Sequence, residues 1–125
     1  MWVMRVIGFL YVLAGLWCAI MTQVAAQSLG YQLIGDTGLA EFFTVYGGLE
    51  VGIGLAMVLT TMRLKWYAGG LMFAVVIAWS LPIFRILSLI LFAPEIGAWV
   101  YLLLELVLAI ALSLVLYRST ISVSE

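Results

Sequence analysis

The chain has 125 residues, 67% of them hydrophobic and 9% charged, and a mean hydropathy of +1.30, which excludes an ordinary soluble domain and predicts an integral membrane protein. Its formal net charge of −1 and five scattered basic residues provide no basic face, so we expect no nucleic-acid partner. One cysteine excludes an internal disulfide, and the absence of histidine removes the usual metal and haem ligands, so no metal site and no cofactor are expected.

Four apolar runs follow one another along the chain, at residues 3–26, 41–62, 66–92 and 96–117. A bilayer core of roughly 30 Å needs about 20 apolar residues per helix, so each run is long enough to span it. The first run is longer than the roughly 7 to 15 residues of a signal-peptide core, and we interpret it as a retained helix. The sequence therefore predicts one all-α transmembrane domain of four helices over residues 1–125.

The links between these runs are short and carry the turn-forming residues. They read QSLGYQLIGDTG after the first run, Arg63-Leu64-Lys65 after the second and Pro94-Glu95-Ile96-Gly97 after the third. Short links make consecutive helices antiparallel neighbours. The fold class predicted is thus an antiparallel four-transmembrane-helix bundle.

The basic residues predict which ends of the helices face the cytoplasm. Lys and Arg near span ends favour the cytoplasmic side of a membrane. In an antiparallel bundle the basic residues near span ends fall on one side, and these are Arg5, Arg63, Lys65 and Arg118. The two loops on the other side carry no Lys or Arg. Both termini are therefore predicted to be cytoplasmic.

Two apolar runs contain the same short pattern, VYGGLE ending at Glu50 and VYLLLE ending at Glu105. In each, a tyrosine precedes the glutamate by four residues, so Tyr46 and Tyr101 are expected on the same helix faces as the acids. Duplication of a helical hairpin would explain the repeat, and so would convergence of two apolar helices. The pattern does not decide between them.

A buried cluster of charges is predicted where three runs carry an ionisable residue at similar depth. With a rise of 1.5 Å per residue, Glu50, Arg85 and Glu105 lie roughly 10 to 13 Å below the outer ends of their helices. Each charge near the bilayer centre costs roughly 2.5 to 3.5 kcal/mol, so the three are expected to face inward and meet. Two acids against one base leave one negative charge over, and one carboxyl is expected to carry a proton. Such a cluster is typical of a functional site, although interhelical stabilisation alone also explains it.

The segments EFFTVYGGLEVGIGL, FRILSLILFAP and YLLLELVLAIALSL resemble an uncharacterised bacterial four-helix membrane family within the DoxX-like superfamily. The resemblance covers most of the chain and has Glu50, Arg85 and Glu105 at matching places. It implies a multi-pass protein of the bacterial inner membrane. Some members of that superfamily are small subunits linked to quinone-dependent oxidation or to maturation of redox enzymes, which implies a role beside a membrane complex.

The first functional hypothesis is a binding or accessory protein. Its cluster would orient a lipid-like or quinone-like molecule, or dock a membrane-complex partner or a second copy of the chain. A proton-coupled small-molecule transporter is the alternative, although Arg85 would hold a carboxylate ionised rather than leave it to exchange protons. An enzyme using Glu50 and Glu105 as acid and base on a lipid-like substrate is a third hypothesis. Nothing in the sequence names a substrate, so we assign no catalytic residue, favour a role other than an enzyme and leave enzymatic activity open.

Overall fold

A computed structural model describes residues 1–92 and 96–121, apart from the side chains of residues 120 and 121. These residues form helices and no β-strand. In chain order the helices are α1 (Trp2–Ile20), α2 (Thr22–Ser28), α3 (Gly35–Phe42), a π-helical segment (Phe43–Leu49), α4 (Glu50–Thr60), α5 (Leu64–Phe92) and α6 (Gly97–Ile121). The turn predicted at Pro94 and Glu95 lies outside the described residues.

Four helical stretches are long and apolar enough to cross a membrane. They are Trp2–Ile20, Gly35–Thr60, Leu64–Phe92 and Gly97–Ser119. This confirms the predicted helical class and the four apolar spans, and it indicates a multi-pass membrane protein. Two points remain predictions. These are the antiparallel order of the four spans and the cytoplasmic location of both termini.

Contacts within the chain divide it into two compact units. The N-unit consists of residues 4–59 together with Trp2, and the C-unit begins at Thr60 and includes Met1 and Val3. The N-unit therefore holds α1 to α4 with the π-helical segment, whereas the C-unit holds α5 and α6. That the chain forms a single domain stays a prediction.

The first span ends earlier than the predicted range of 3–26, because the helix is divided at Met21. This residue leaves the helical region of backbone space, with φ −113° and ψ 43°. Beside it, the Thr22 hydroxyl donates to the carbonyl oxygen of Ala19 at 2.9 Å, a local bond that bends helices. No proline or glycine marks the position, so the sequence pattern alone predicts one continuous helix.

Gly30 ends α2 in a Schellman motif. Its φ is +83°, in the left-handed region that favours glycine. The backbone N–H of Tyr31 donates to the Ala26 carbonyl at 2.9 Å, and that of Gly30 donates to the Gln27 carbonyl at 3.0 Å. These two bonds fix the direction in which the chain leaves α2, and so they position Tyr31.

The second span begins at Gly35, six residues before the predicted start at residue 41, and it is not a regular α-helix throughout. The early start places Asp36 in the first turn, where the helix dipole favours a negative charge. The two glycines in the sequence GDTG are typical of a loop, which explains why the predicted helix begins later than the observed one. From Phe43 to Leu49 the chain is π-helical, so one wide turn separates α3 from α4.

Within the N-unit, α1 approaches the second span through pairs of glycines. A Cβ added at Gly15 would lie 2.7 Å from the carbonyl oxygen of Gly47 and 2.8 Å from the backbone nitrogen of Val51. A Cβ added at Gly8 would lie 2.8 Å from the carbonyl oxygen of Gly54. Backbone atoms therefore touch across this interface, as small residues allow in membrane helices.

The C-unit is formed by α5 and α6, which exchange side-chain hydrogen bonds. Trp79 Nε1 donates to Ser113 Oγ at 2.9 Å, and Arg85 pairs with Glu105. The partner's number falls as the α5 residue's number rises, which is the order expected of a helical hairpin. The buried Pro82 lies inside α5, and the helix continues through it.

We expect Gly15→Ala to destabilise the protein by about 2 kcal/mol, because its methyl group would meet backbone atoms that cannot rotate away. The measurement is thermal unfolding in detergent, followed by circular dichroism. Gly52→Ala is the matched control, since a Cβ at Gly52 has nothing within 4 Å and alanine favours the helix. Equal stability of the two variants would contradict the close approach.

Candidate functional site

Arg85 and Glu105 form a two-pronged ion pair in the C-unit. Arg85 Nη2 lies 2.5 Å from Glu105 Oε1, and Arg85 Nε donates to Glu105 Oε2 at 3.2 Å. Two parallel N–H donors on two carboxylate oxygens are the strongest arrangement open to this pair. The structure thus brings together two of the three charges predicted to meet.

The two partners differ in exposure. The Glu105 side chain is 9% exposed, whereas that of Arg85 is 33% exposed. A carboxylate withdrawn from solvent needs a strong partner, and the guanidinium supplies it. The acid is therefore enclosed while the base remains accessible on one side.

Tyr101 completes this group from one turn before Glu105 on α6. Its ring centroid lies 5.4 Å from Arg85 Cζ, within the range of a cation–π interaction. The sequence predicts Tyr101 beside Glu105, and the described contact of its ring is with the arginine. Tyr101 and Glu105 hold the guanidinium from two directions.

The backbone around Arg85 explains how α5 presents it. Pro82 is buried three residues before Arg85, and it leaves the helix one hydrogen bond short. Ser88 follows, and its hydroxyl donates to the Arg85 carbonyl oxygen at 2.7 Å. A small apolar residue, Ala109, is fully buried one turn beyond Glu105 on α6.

A groove runs along α5 beside the ion pair. Its volume is about 350 Å³, and it is lined by Ser80, Leu81, Phe84, Arg85 and Ser88. Both serine hydroxyls bond to their own helix, Ser80 to the Ile77 carbonyl oxygen and Ser88 to that of Arg85. The groove is thus largely apolar, with the accessible part of Arg85 as its charged element.

The other predicted tyrosine, Tyr46, belongs to the N-unit. It lies in the π-helical segment, and its ring stacks on Phe42 at 4.6 Å between centroids with an interplanar angle of 17°. The hydroxyl groups of Tyr46 and Tyr31 are hydrogen-bonded to each other, and either can be the donor. Tyr31 also meets Phe42 edge-on, with 5.7 Å between centroids. We call Tyr31, Phe42 and Tyr46 the aromatic cluster.

Glu50 begins α4 directly after the π-helical segment and is partly buried. Among the described residues of the N-unit it forms no ion pair. π-Helical turns are often found at functional sites, and this one carries Tyr46 and ends directly before Glu50. The participation of Glu50 in a cluster with Arg85 and Glu105 stays a prediction.

A metal site is not seen in the part of the chain that the structure describes, where no three His, Cys, Asp or Glu side chains come together. Comparison with known proteins adds no assignment, since no family model, curated protein or solved structure matches the chain. The resemblance to the DoxX-like superfamily therefore stays a prediction.

Some residues of these sites are absent from the sequence-based prediction. The groove residues Ser80, Phe84 and Ser88 recur every four positions, and this spacing predicts that they share a helix face near Arg85. Tyr31 lies in a loop after Gly30, and only the folded turn brings its hydroxyl to Tyr46. No local pattern predicts that contact.

We expect Glu105→Gln to destabilise the protein by about 2 kcal/mol, because it removes the carboxylate that accepts two hydrogen bonds from the Arg85 guanidinium. Arg85→Leu should do the same by isolating the carboxylate. The double variant Arg85→Leu/Glu105→Gln should recover most of the loss, as measured by unfolding in mixed micelles.

The same measurement tests Glu50. If Glu50 shares Arg85, the double variant will recover only part of the stability, and adding Glu50→Gln will recover the rest. Full recovery without Glu50→Gln would exclude Glu50 from the cluster. Additive losses in Arg85→Leu/Glu105→Gln would contradict the ion pair itself.

Proposed function

We propose that this chain is a small multi-pass membrane protein that binds a lipid-like or quinone-like molecule beside α5, with Arg85 orienting the polar end of that molecule. The observation that carries the proposal is the unequal exposure of the ion pair. Glu105 is enclosed, whereas the Arg85 side chain is 33% exposed and is one of the residues that line the groove. The protein would then act as an accessory subunit or carrier rather than as an enzyme.

The shape and lining of the groove support this ligand class. A volume of about 350 Å³ falls at the lower end of the roughly 300 to 1,000 Å³ of small-molecule sites. Leu81 and Phe84 offer apolar contact for a hydrocarbon or ring, while Arg85 offers N–H donors to an oxygen. An amphiphile with one oxygen-bearing end matches both features.

The ion pair also has the geometry of a preorganised site. Tyr101 and Glu105 restrict the guanidinium before any ligand arrives, so little side-chain entropy remains to be lost on binding. The polar end of a ligand in the groove could approach the exposed part of the Arg85 side chain, which is 33% exposed and lines the groove.

Docking of a membrane-complex subunit or of a second copy of the chain is the alternative occupant of this groove. Proton-coupled transport is less well supported, because the two-pronged bond occupies Glu105. We further propose that the protein lies in a bacterial inner membrane, on the strength of the sequence resemblance.

We propose that the four spans are antiparallel and that the Arg5 and Arg118 ends face the cytoplasm. The turn between α4 and α5 supports this orientation. Arg63 Cζ and Lys65 Nζ lie 5.4 and 5.5 Å from the ring centroid of Trp66, which combines basic and aromatic residues as at a cytoplasmic membrane interface.

The groove can be tested by filling it. We expect Leu81→Trp to reduce the amount of bound small molecule at least fivefold, or about 1 kcal/mol, because the larger indole would take up part of the groove while Arg85 and Glu105 themselves stay unchanged. The measurement is native mass spectrometry of protein released from nanodiscs of native lipid.

Ile83→Trp is the matched control, since Ile83 is exposed on α5 but does not line the groove. It should bind as the unchanged protein does. If the unchanged protein carries no small molecule, the binding proposal is wrong, and a co-released protein lost in Leu81→Trp would identify docking as the role of the groove.

The orientation can be tested by thiol labelling in a Cys18→Ala background. We expect Thr37→Cys to react with a membrane-impermeant maleimide in intact spheroplasts, and Leu64→Cys to react only after lysis. Both positions are exposed, so accessibility to the reagent depends on the side of the membrane. Labelling of Leu64→Cys in intact spheroplasts would reverse the proposed orientation.

A further inference from the structure

A second pocket lies wholly within the N-unit, where the chain leaves α2. Its volume is about 180 Å³, and it is lined by Gln23, Ala26, Gln27, Tyr31, Gln32 and Leu33. None of these residues belongs to the ion pair or the groove of the C-unit. An inference about this pocket therefore stands independently of the proposed function.

The lining of the pocket carries no formal charge. Of its six lining residues, three glutamines and Tyr31 have polar side chains, and a glutamine amide can both donate and accept hydrogen bonds. A cation would require carboxylates, and an anion would require basic side chains or a set of backbone N–H groups. The chemistry of this lining selects a neutral ligand with several hydroxyl or amide groups.

The glutamines converge because of the backbone around them. Gln23 and Gln27 are four residues apart on α2 and so share one helix face. The Schellman motif at Gly30 then turns the chain, which brings Tyr31 and Gln32 to the same pocket. All three glutamines are exposed, and their side chains take part in none of the hydrogen bonds described for the chain.

Tyr31, which lines the pocket, is contacted by the other two residues of the aromatic cluster. Its hydroxyl is bonded to that of Tyr46, and its ring meets Phe42 edge-on. Phe42 is itself 3% exposed, in a core with Cys18 and Ala25. These contacts restrict the Tyr31 side chain before a ligand arrives, which lowers the entropic cost of binding.

The size of the pocket limits the ligand further. A volume of about 180 Å³ is below the roughly 300 Å³ of a drug-sized site, so it admits a single small ring or a short polyol. Leu33 is partly exposed and adds an apolar surface, which suits the carbon–hydrogen face of a sugar ring. Since α2 directly follows the span α1, the pocket lies near the end of a span, where lipid head groups are found.

We propose that this pocket binds one neutral, hydroxyl-rich ring, such as a single sugar unit, either in solution or as the head group of a glycolipid. The glutamine amides bond its hydroxyl groups, and Tyr31 and Leu33 contact its apolar face.

Two probes distinguish the sources of the sugar. Methyl β-glucoside is titrated onto the protein in phosphatidylcholine nanodiscs, with saturation-transfer NMR as the readout. In parallel, monoglucosyl diacylglycerol is included in the nanodiscs, and bound lipid is counted by native mass spectrometry. Binding of the glycolipid alone assigns a lipid head group, and binding of both probes assigns the sugar itself.

Gln27→Leu is the informative variant, because Gln27 is exposed and its structural hydrogen bond uses only its backbone carbonyl. We expect it to weaken binding about fivefold, the loss of about 1 kcal/mol for one hydrogen bond. Thr37→Val, which replaces an exposed polar residue outside the pocket, should bind like the unchanged protein.

The proposal is overturned if neither probe binds, or if Gln27→Leu binds as tightly as the unchanged protein. It is also overturned if Thr37→Val weakens binding as much as Gln27→Leu. None of these outcomes affects the Leu81→Trp experiment, because that variant alters the C-unit.

Discussion

A bilayer core offers no water to polar groups, and the structure of this chain follows from that constraint. Backbone groups bond within helices, and side chains that carry polarity bring their own partners. The serine hydroxyls of α5 and α6 bond to carbonyl oxygens of their own helices, and Trp79 reaches Ser113. Among the described residues, no buried side-chain nitrogen or oxygen lacks a hydrogen-bond partner. Arg85 and Glu105 are also paired, and as charged groups they are the most costly of these side chains to place in a bilayer.

That rule explains why part of the candidate site could be predicted from the sequence. Placing a charge deep in an apolar run costs free energy, so the depth of Arg85, calculated from the helical rise, predicts that it is paired with an acidic residue. In the structure Arg85 is paired with Glu105. The place of Glu50 depends on how helices of different units pack, and helical periodicity carries no such information. Helical periodicity also does not predict that the Tyr101 ring contacts Arg85.

The number and class of the spans could also be predicted, because length and apolarity decide them. Local geometry could not. No residue type marks the change from α3 to the π-helical segment, and Met21 divides the first span without a proline or glycine. The sequence contains part of the information that predicts the glycine contacts. Gly8 and Gly15 are seven residues apart and so share a helix face, and the same holds for Gly47 and Gly54. Which of the chain's glycines face one another is decided by packing.

The pairing of Arg85 with Glu105 within one unit has a consequence for how the chain enters the membrane. Only residues 93–96 separate α5 from α6, so the two helices are synthesised almost together. An arginine entering the lipid alone costs roughly 2.5 to 3.5 kcal/mol, and the strongly apolar remainder of α5 offsets this until α6 arrives. Once both helices have left the translocon, the hairpin carries its own counter-ion and no longer exposes an unpaired charge to lipid. This ion pair therefore forms between two helices that are neighbours in the chain.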